Sequence, residues 1–333
     1  SFACVCPMAV KQCRPCQKLV KKYQSACGSP TVFWWIEQMV ATGEHINESD
    51  LKKLAQQEKY QLFGLTVPYL IMVSALIIIP IGWLLYMSFI GRDGTLSFEN
   101  YERMIKSKAY LRIFITTFKI SILTTLICAL LGYPLAYFMS QLSNRWANIC
   151  MIGVLIPFWT SLLVRTYAWL VLLQRKGVIN NMAIDLGIIS EPIKFVHNTS
   201  GTLIGMVHIM LPFLILPLYA NMKAIDKDCL KAASSLGATP TRAFWTVFFP
   251  LSIPGLLAGL LIVFVLCLGF YVTPAVLGGG KVIMAAMKIS SNIELYFSWG
   301  AASALGVVLL TVTAFILYIT SKLVSIDQLS GGR

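Results

Sequence analysis

Lys231-Ala-Ala-Ser-Ser-Leu-Gly-Ala-Thr-Pro-Thr-Arg-Ala-Phe-Trp-Thr-Val-Phe-Phe-Pro-Leu-Ser-Ile-Pro-Gly255 passes from a polar stretch into an apolar one, and its reading decides the fold. Ala232 and Ala233 favour a helical turn, and Gly237 can take the left-handed conformation that ends one. Pro250 and Pro254 mark the expected re-entry of the chain into an apolar span. The stretch reads as a short rigid helix set between two hydrophobic segments, placed to dock on a partner outside a membrane.

The rest of the chain supplies that membrane context. Of 333 residues, 57% are hydrophobic and only 12% charged, and the mean hydropathy is +0.74, far above a soluble domain. Segments 62–90, 113–140, 148–173, 201–220, 254–276 and 301–323 each offer about 20 or more mostly apolar residues, enough for a helix to cross a hydrocarbon core of ~30 Å. Their connections are too short to fold alone. The expected class is an all-α membrane protein with six transmembrane helices in one domain, 61–325, carrying a polar loop at 221–252.

A net charge of +13 raises the question of nucleic acid. The Lys and Arg residues are dispersed, however, and no aromatic-basic patch accompanies them. Membrane topology accounts for them better: with both termini in the cytoplasm the positive residues divide weakly in favour of the inner side, although Arg92, Arg103, Lys106, Lys108 and Arg112 crowd one outer loop. The first 30 residues contain no apolar stretch of signal-peptide type, so the first span is expected to act as the insertion signal.

The pattern at Ala232, Ala233, Leu236, Gly237, Ala238, Phe244, Pro250, Pro254 and Gly255 resembles the cytoplasmic "EAA" loop of permease subunits of binding-protein-dependent ABC importers. The resemblance implies a type I importer permease fold whose loop forms a coupling helix seated on an ATPase subunit. Lys231 stands where that family usually has Glu, leaving Asp226 or Asp228 to supply an acidic contact. Pro157-Phe-Trp-Thr-Ser-Leu-Leu-Val-Arg165-Thr-Tyr167-Ala-Trp169, then Gly177 to Asn180, Phe270 to Gly280 and Trp299 to Ala302, are similar to the polyamine (spermidine/putrescine) branch of the family. Branches carrying opines, phosphonates or other small solutes share this architecture. The partners implied are a second permease subunit, two ATPase subunits holding ATP and Mg, an extracytoplasmic substrate-binding protein and lipid, in a bacterial inner membrane.

Candidate substrate-pathway residues are Trp159, Arg165, Tyr167, Trp169 and Tyr271. Arg165 lies 18 residues along the third span, which on a straight helix puts it ~27 Å up, near the outer interface; it reads as a snorkelling anchor in preference to a substrate contact. Trp159, Tyr167 and Trp169 fit either an interfacial belt or ring faces for a cationic substrate. No span contains Asp or Glu, so a polycation would need carboxylates from a partner, or aromatic faces and backbone carbonyls freed at Pro134, Pro157, Pro212, Pro217 and Pro274.

No catalytic constellation is visible. Gly278-Gly279-Gly280-Lys281 lacks Walker A spacing and reads as a flexible outer turn, and His45, His197 and His208 are isolated, with His208 read as a packed polar residue. The basic segment 1–60 carries Cys4, Cys6, Cys13, Cys16 and Cys27 in no recognised metal framework and reads as a solvated tail, followed over 48–63 by an amphipathic elbow helix capped by Ser49 or Asp50. A second class of function, a permease-like sensor, would use those cysteines to report metal or redox state. Residues 326–333 form a short tail.

Overall fold

In hydrocarbon a backbone must satisfy its own polar groups, and a run of 20 apolar residues does so as a helix. The computed structural model describes residues 48–91 and 93–323, and these are helical with no strand beyond an isolated Ile90–Leu96 bridge. The five N-terminal cysteines and residues 326–333 lie outside the described residues.

Helix α1 (Glu48–Ser88) is continuous for 41 residues, so no break separates an elbow from the first span, and Ser49 and Asp50 lie within it instead of capping it. The chain divides into two compact units after Ile78. After α1 come α2 (Glu99–Lys106), α3 (Lys108–Gln141), α4 (Asn144–Leu155), α5 (Leu162–Leu172), α6 (Val178–Asp185), α7 (Thr199–Ala224), α8 (Lys227–Ser235), α9 (Pro240–Ala243), α10 (Phe249–Leu268), α11 (Val272–Leu277), α12 (Ala285–Glu294) and α13 (Trp299–Leu323).

Among the described residues, five helical segments are long and apolar enough to cross a membrane: Thr66–Ser88, Lys108–Gln141, Thr199–Ala224, Pro240–Leu268 and Trp299–Thr320. The expected third span, 148–173, is not a straight helix. Asn144–Trp159 and Leu162–Leu172 meet at 95°. Pro157 opens a 3₁₀ turn over Ile156–Trp159, Thr160 then turns extended, and the Thr160 hydroxyl donates to the Pro157 carbonyl at 2.8 Å, so the helical ladder is cut and restarted. The chain still crosses here. The end of α3 (Ser140, Gln141) and the end of α7 (Met222) line one cavity together, so the segment between them must return to the opposite end for α7 to start there.

The fifth span also departs from expectation. Instead of beginning at 254, it runs from Pro240 through a π-turn at Phe244–Phe248 into α10. The π-turn shifts the hydrogen-bond register just where Pro250 has no N–H to donate. The segment then ends at Gly269, and Val272–Leu277 is a separate short helix.

Helices α3, α7 and α10 form the core, burying Cys128, Met206, Met210, Leu214, Val263 and Cys267. Lipid gives apolar helices no hydrophobic reason to associate, so close backbone approach matters. Gly255 and Gly259, one turn apart on α10, provide it: a Cβ at Gly259 would sit 3.0 Å from the Leu214 carbonyl, and one at Gly255 would fall on the Asn221 side chain. At the opposite end from the polar loop, the Ala285 amide donates to Thr117 Oγ1 at 2.9 Å, tying α12 to α3. The Gly278–Gly280 turn is packed, not loose. Gly279 (φ +53°) abuts the His197 ring, and the His197 amide donates to the Leu277 carbonyl at 2.9 Å.

Candidate functional site: docking loop and broken span

The loop between α7 and α10 is closed at both ends by its own side chains. Asp226 caps α8, its carboxylate accepting from the Asp228 amide at 2.9 Å, an arrangement worth about 1 kcal/mol. At the other end the Gly237 amide donates to the Ser234 carbonyl (3.0 Å) and the Ala238 amide to the Ala233 carbonyl (3.1 Å), with Gly237 at φ +84°. This six-residue closure satisfies carbonyls that the last helical turn leaves open. Thr239 then caps α9, accepting from the Arg242 amide at 3.4 Å.

The residues singled out in this loop divide into two groups. Asp228, Lys231, Ala232 and Leu236 are exposed, Leu236 at 89%, and Lys231 Nζ pairs with Asp228 Oδ1 at 2.7 Å. Ala233 and Ala238 are half-buried. Phe244 turns inward: its ring lies 5.1 Å from Tyr137 and 6.4 Å from Tyr133 and stacks on Phe248 at 5.9 Å. It therefore fastens the loop to α3 while remaining half-buried. Leu230 and Ile225 pack on the same core. An unsupported nine-residue helix would be marginal in water; this one is held at its caps and along one side while leaving an apolar, exposed tip at Leu236.

The second cluster surrounds the break. Arg165 and Trp169 are one turn apart on α5 and share a face. The Arg165 guanidinium lies over the Phe158 ring at 5.8 Å, Phe158 packs on Phe213 at 5.0 Å, and Trp169 meets the His208 ring edge-on at 5.5 Å. Thr166 and Thr273 hydroxyls are 3.3 Å apart, which joins α5 to α11. Arg165 Nε and Nη1 and His208 Nδ1 are buried with no hydrogen-bond partner among the described residues. The 95° bend removes the straight-helix height from which the snorkelling reading was drawn.

Of the other expected pathway residues, Trp159 (91% exposed) and Tyr167 (54%) do not join this cluster. Tyr271 stands in the break before α11. Phe158, His208, Thr166 and Thr273 do belong to the cluster and were not anticipated. His208 carried the one available signal, a titratable side chain inside an apolar span.

Residues 60–325 match the family model described as binding-protein-dependent transport system inner membrane component. The chain belongs to that family. This permease subunit of an ABC importer is 35% identical to the spermidine/putrescine transport system permease protein PotB of Haemophilus influenzae, over 75% of this chain and 90% of that protein. It is 29% identical to PotB of Escherichia coli strain K12, over 73% of this chain and 94% of that one. In fold it is similar to a chain of a bacterial ABC transporter that imports alginate, with a TM-score of 0.64 at 16% identity, over 83% of this chain and 99% of that chain. The permease is accordingly a multi-pass inner-membrane component that works with a binding protein.

Proposed function

We propose that this permease imports polyamines of the spermidine/putrescine class. The observation that carries the reading is the 35% identity to a spermidine/putrescine permease over three quarters of the chain. The aromatic faces at the broken span fit it, because an ammonium over a Trp or Tyr ring is attracted without a buried carboxylate. Partner ATPase subunits bind ATP and Mg and hydrolyse it; this chain contributes no ATPase site of its own. A second permease chain completes the pathway, and an extracytoplasmic binding protein delivers the substrate. Both termini face the cytoplasm, which puts the α8 loop there.

The exposed tip around Ala232, Leu236 and Gly237 docks on the ATPase. Closure of the ATPases on ATP moves this tip, and because Phe244 and Leu230 bind the loop to the core, the displacement passes to α3 and α10 and rocks the spans between inward and outward access. The test is reconstitution with the neighbouring subunits: spermidine should stimulate ATP hydrolysis, and an importer unresponsive to spermidine and putrescine would refute the substrate assignment. A second reading, an anionic solute such as an opine or phosphonate, draws on one observation, the unpartnered Arg165 guanidinium, which would bind such a group directly.

A further inference from the structure

At the end of the spans away from the docking loop, α13 lies against the last turns of α1. A Cβ at Gly306 would touch the Leu84 methyls at 3.6 and 3.9 Å, and one at Gly300 would fall 2.4 Å from the Ile90 carbonyl, so the two run antiparallel. Two recesses follow this pair, both within the second compact unit. The first, about 690 Å³, has Arg103, Lys288, Asn100, Asn292, Tyr110 and Tyr296 in its lining, beside Gly300. The second, about 420 Å³, is a groove beside Gly306, formed by Ile81 and Leu84, Leu268 of α10, and Leu309 and Leu310. Six residues of helix, about 9 Å, separate the two glycines.

The recesses differ in chemistry. No carboxylate lines the first; Asp93 and Glu294 lie outside it, and Glu294 accepts from Ser290 Oγ at 2.6 Å. Glu99 engages Arg103 at 2.8 Å. Lys288 Nζ, 4.7 Å from the Tyr296 ring centre, has no carboxylate partner among the described residues. Asn100 is spent on the Ser88 and Ile90 carbonyls, whereas Asn292, 3% exposed, has no hydrogen-bond partner for Nδ2 among the described residues. The groove is apolar, and its one hydroxyl, Thr313, donates to the Leu309 carbonyl at 2.7 Å. Tyr296, Phe297 and Trp299 stand exposed at the rim of the first recess, where aromatic rings settle at headgroup level.

We propose that the two recesses together hold one anionic phospholipid, its phosphate in the cationic recess and an acyl chain in the groove. A net positive recess repels a polyamine, so it is no part of a polyamine pathway. A soluble anion would leave the groove empty, and a hydrocarbon alone would leave Lys288 unmatched. A phospholipid meets both, because charge and apolar surface are stacked along the same helix pair in the order of headgroup and chain in a leaflet. Lys288 supplies the charge, Arg103 offers the N–H groups not turned to Glu99, and Asn292 has a donor left to give. The site also accounts for the basic residues that crowd 91–112 against the usual cytoplasmic bias, since Arg103 is the one that lines the recess. A chain seated in the groove bridges α1 to α10 and α13.

The experiment titrates the assembled, delipidated importer in mild detergent with phosphatidylglycerol or phosphatidylcholine and reads the lipid retained by native mass spectrometry. Phosphatidylglycerol should be held about tenfold more tightly than phosphatidylcholine. Lys288→Glu should weaken its retention by about tenfold, and Gly306→Leu, which fills the groove without touching a charge, should do the same. Leu310→Trp, at an exposed position, repeats the groove test should Gly306→Leu fail to assemble. Excess inorganic phosphate should not displace the lipid. Equal retention of the two lipids, or wild-type retention by Lys288→Glu, would overturn the proposal. Displacement by inorganic phosphate with full binding in both groove variants would make this a free-phosphate site instead. Weaker binding-protein affinity in Lys288→Glu with lipid retention unchanged would assign the recess to a protein partner. None of these outcomes depends on which solute the importer carries.

Discussion

Ala238 and Ala233 are joined across the end of the docking helix by an amide-to-carbonyl hydrogen bond of 3.1 Å, and Gly237 between them holds φ +84°. A Cβ at Gly237 would meet no heavy atom within 4 Å, so space in the subunit is not what selects glycine. The left-handed conformation is, and a residue with a Cβ loses about 1 kcal/mol or more in it, β-branched residues most.

Gly237→Val should therefore open the helix end and cut recovery of the ATPase with the purified permease, while Gly237→Asn, which tolerates this conformation, should stay near wild type. Membrane insertion should survive in both. Co-purification of the ATPase with each variant is the measurement, and equal recovery with Val and Asn would show that the closure at Gly237 does not shape the docking tip.

Gly255 permits α10 to approach Asn221 on α7 so closely that a Cβ there would overlap the Asn221 Cβ and Cγ. Gly255→Ala should destabilise the subunit by about 1–3 kcal/mol, the usual cost of overpacking. Because the overlap includes Cβ itself, Asn221→Ala should not relieve it, whereas Asn221→Gly should recover part of the loss. Thermal unfolding in detergent of the two double variants separates these outcomes; equal rescue by Ala and Gly would place the conflict elsewhere.

The docking loop was legible because its signals are local. Ala232, Ala233 and Gly237 act on the backbone within a few residues and mark the end of α8 without knowledge of the packing, whereas the caps at Asp226 and Thr239 act just as locally but were not read from the sequence. The broken span was not. Its residues are as apolar as those of a straight helix, and Pro157 is compatible with either a kink or a complete break; only the 3₁₀ turn and the extended Thr160 make it a 95° bend. The start of the fifth span was misplaced for a related reason, since Pro250 reads as punctuation until the π-turn before it absorbs the missing donor. Phe244 and His208 show a further limit: sequence spacing marks a residue as notable, but which way it faces is set by helices distant in sequence.

Trp169 sits in the cluster with Arg165 and His208, whereas Trp159 and Tyr167 do not. Trp169→Ala should reduce polyamine uptake by about tenfold, the scale of a lost cation–π contact at a desolvated site, with basal ATP hydrolysis retained. Trp159→Ala and Tyr167→Ala should each fall less. A larger loss at Trp159 than at Trp169 would move the pathway away from this cluster.

Residues 1–45 precede the family match, which begins at residue 60. Their deletion should leave assembly and uptake near normal, because the matched domain keeps its first span. Metal analysis accompanies the test: stoichiometric zinc or iron in the full-length protein, lost on Cys13→Ser with Cys16→Ser, would show instead that the segment has a sensing role.

ATP-driven uptake of labelled spermidine into proteoliposomes, with this permease, its second permease, the ATPase and the binding protein all present, tests the central claim most directly. The account predicts saturable accumulation that is lost when this subunit is omitted and competed by putrescine. Accumulation that persists without the subunit, or a complete importer that moves an anionic solute and ignores spermidine, would contradict it.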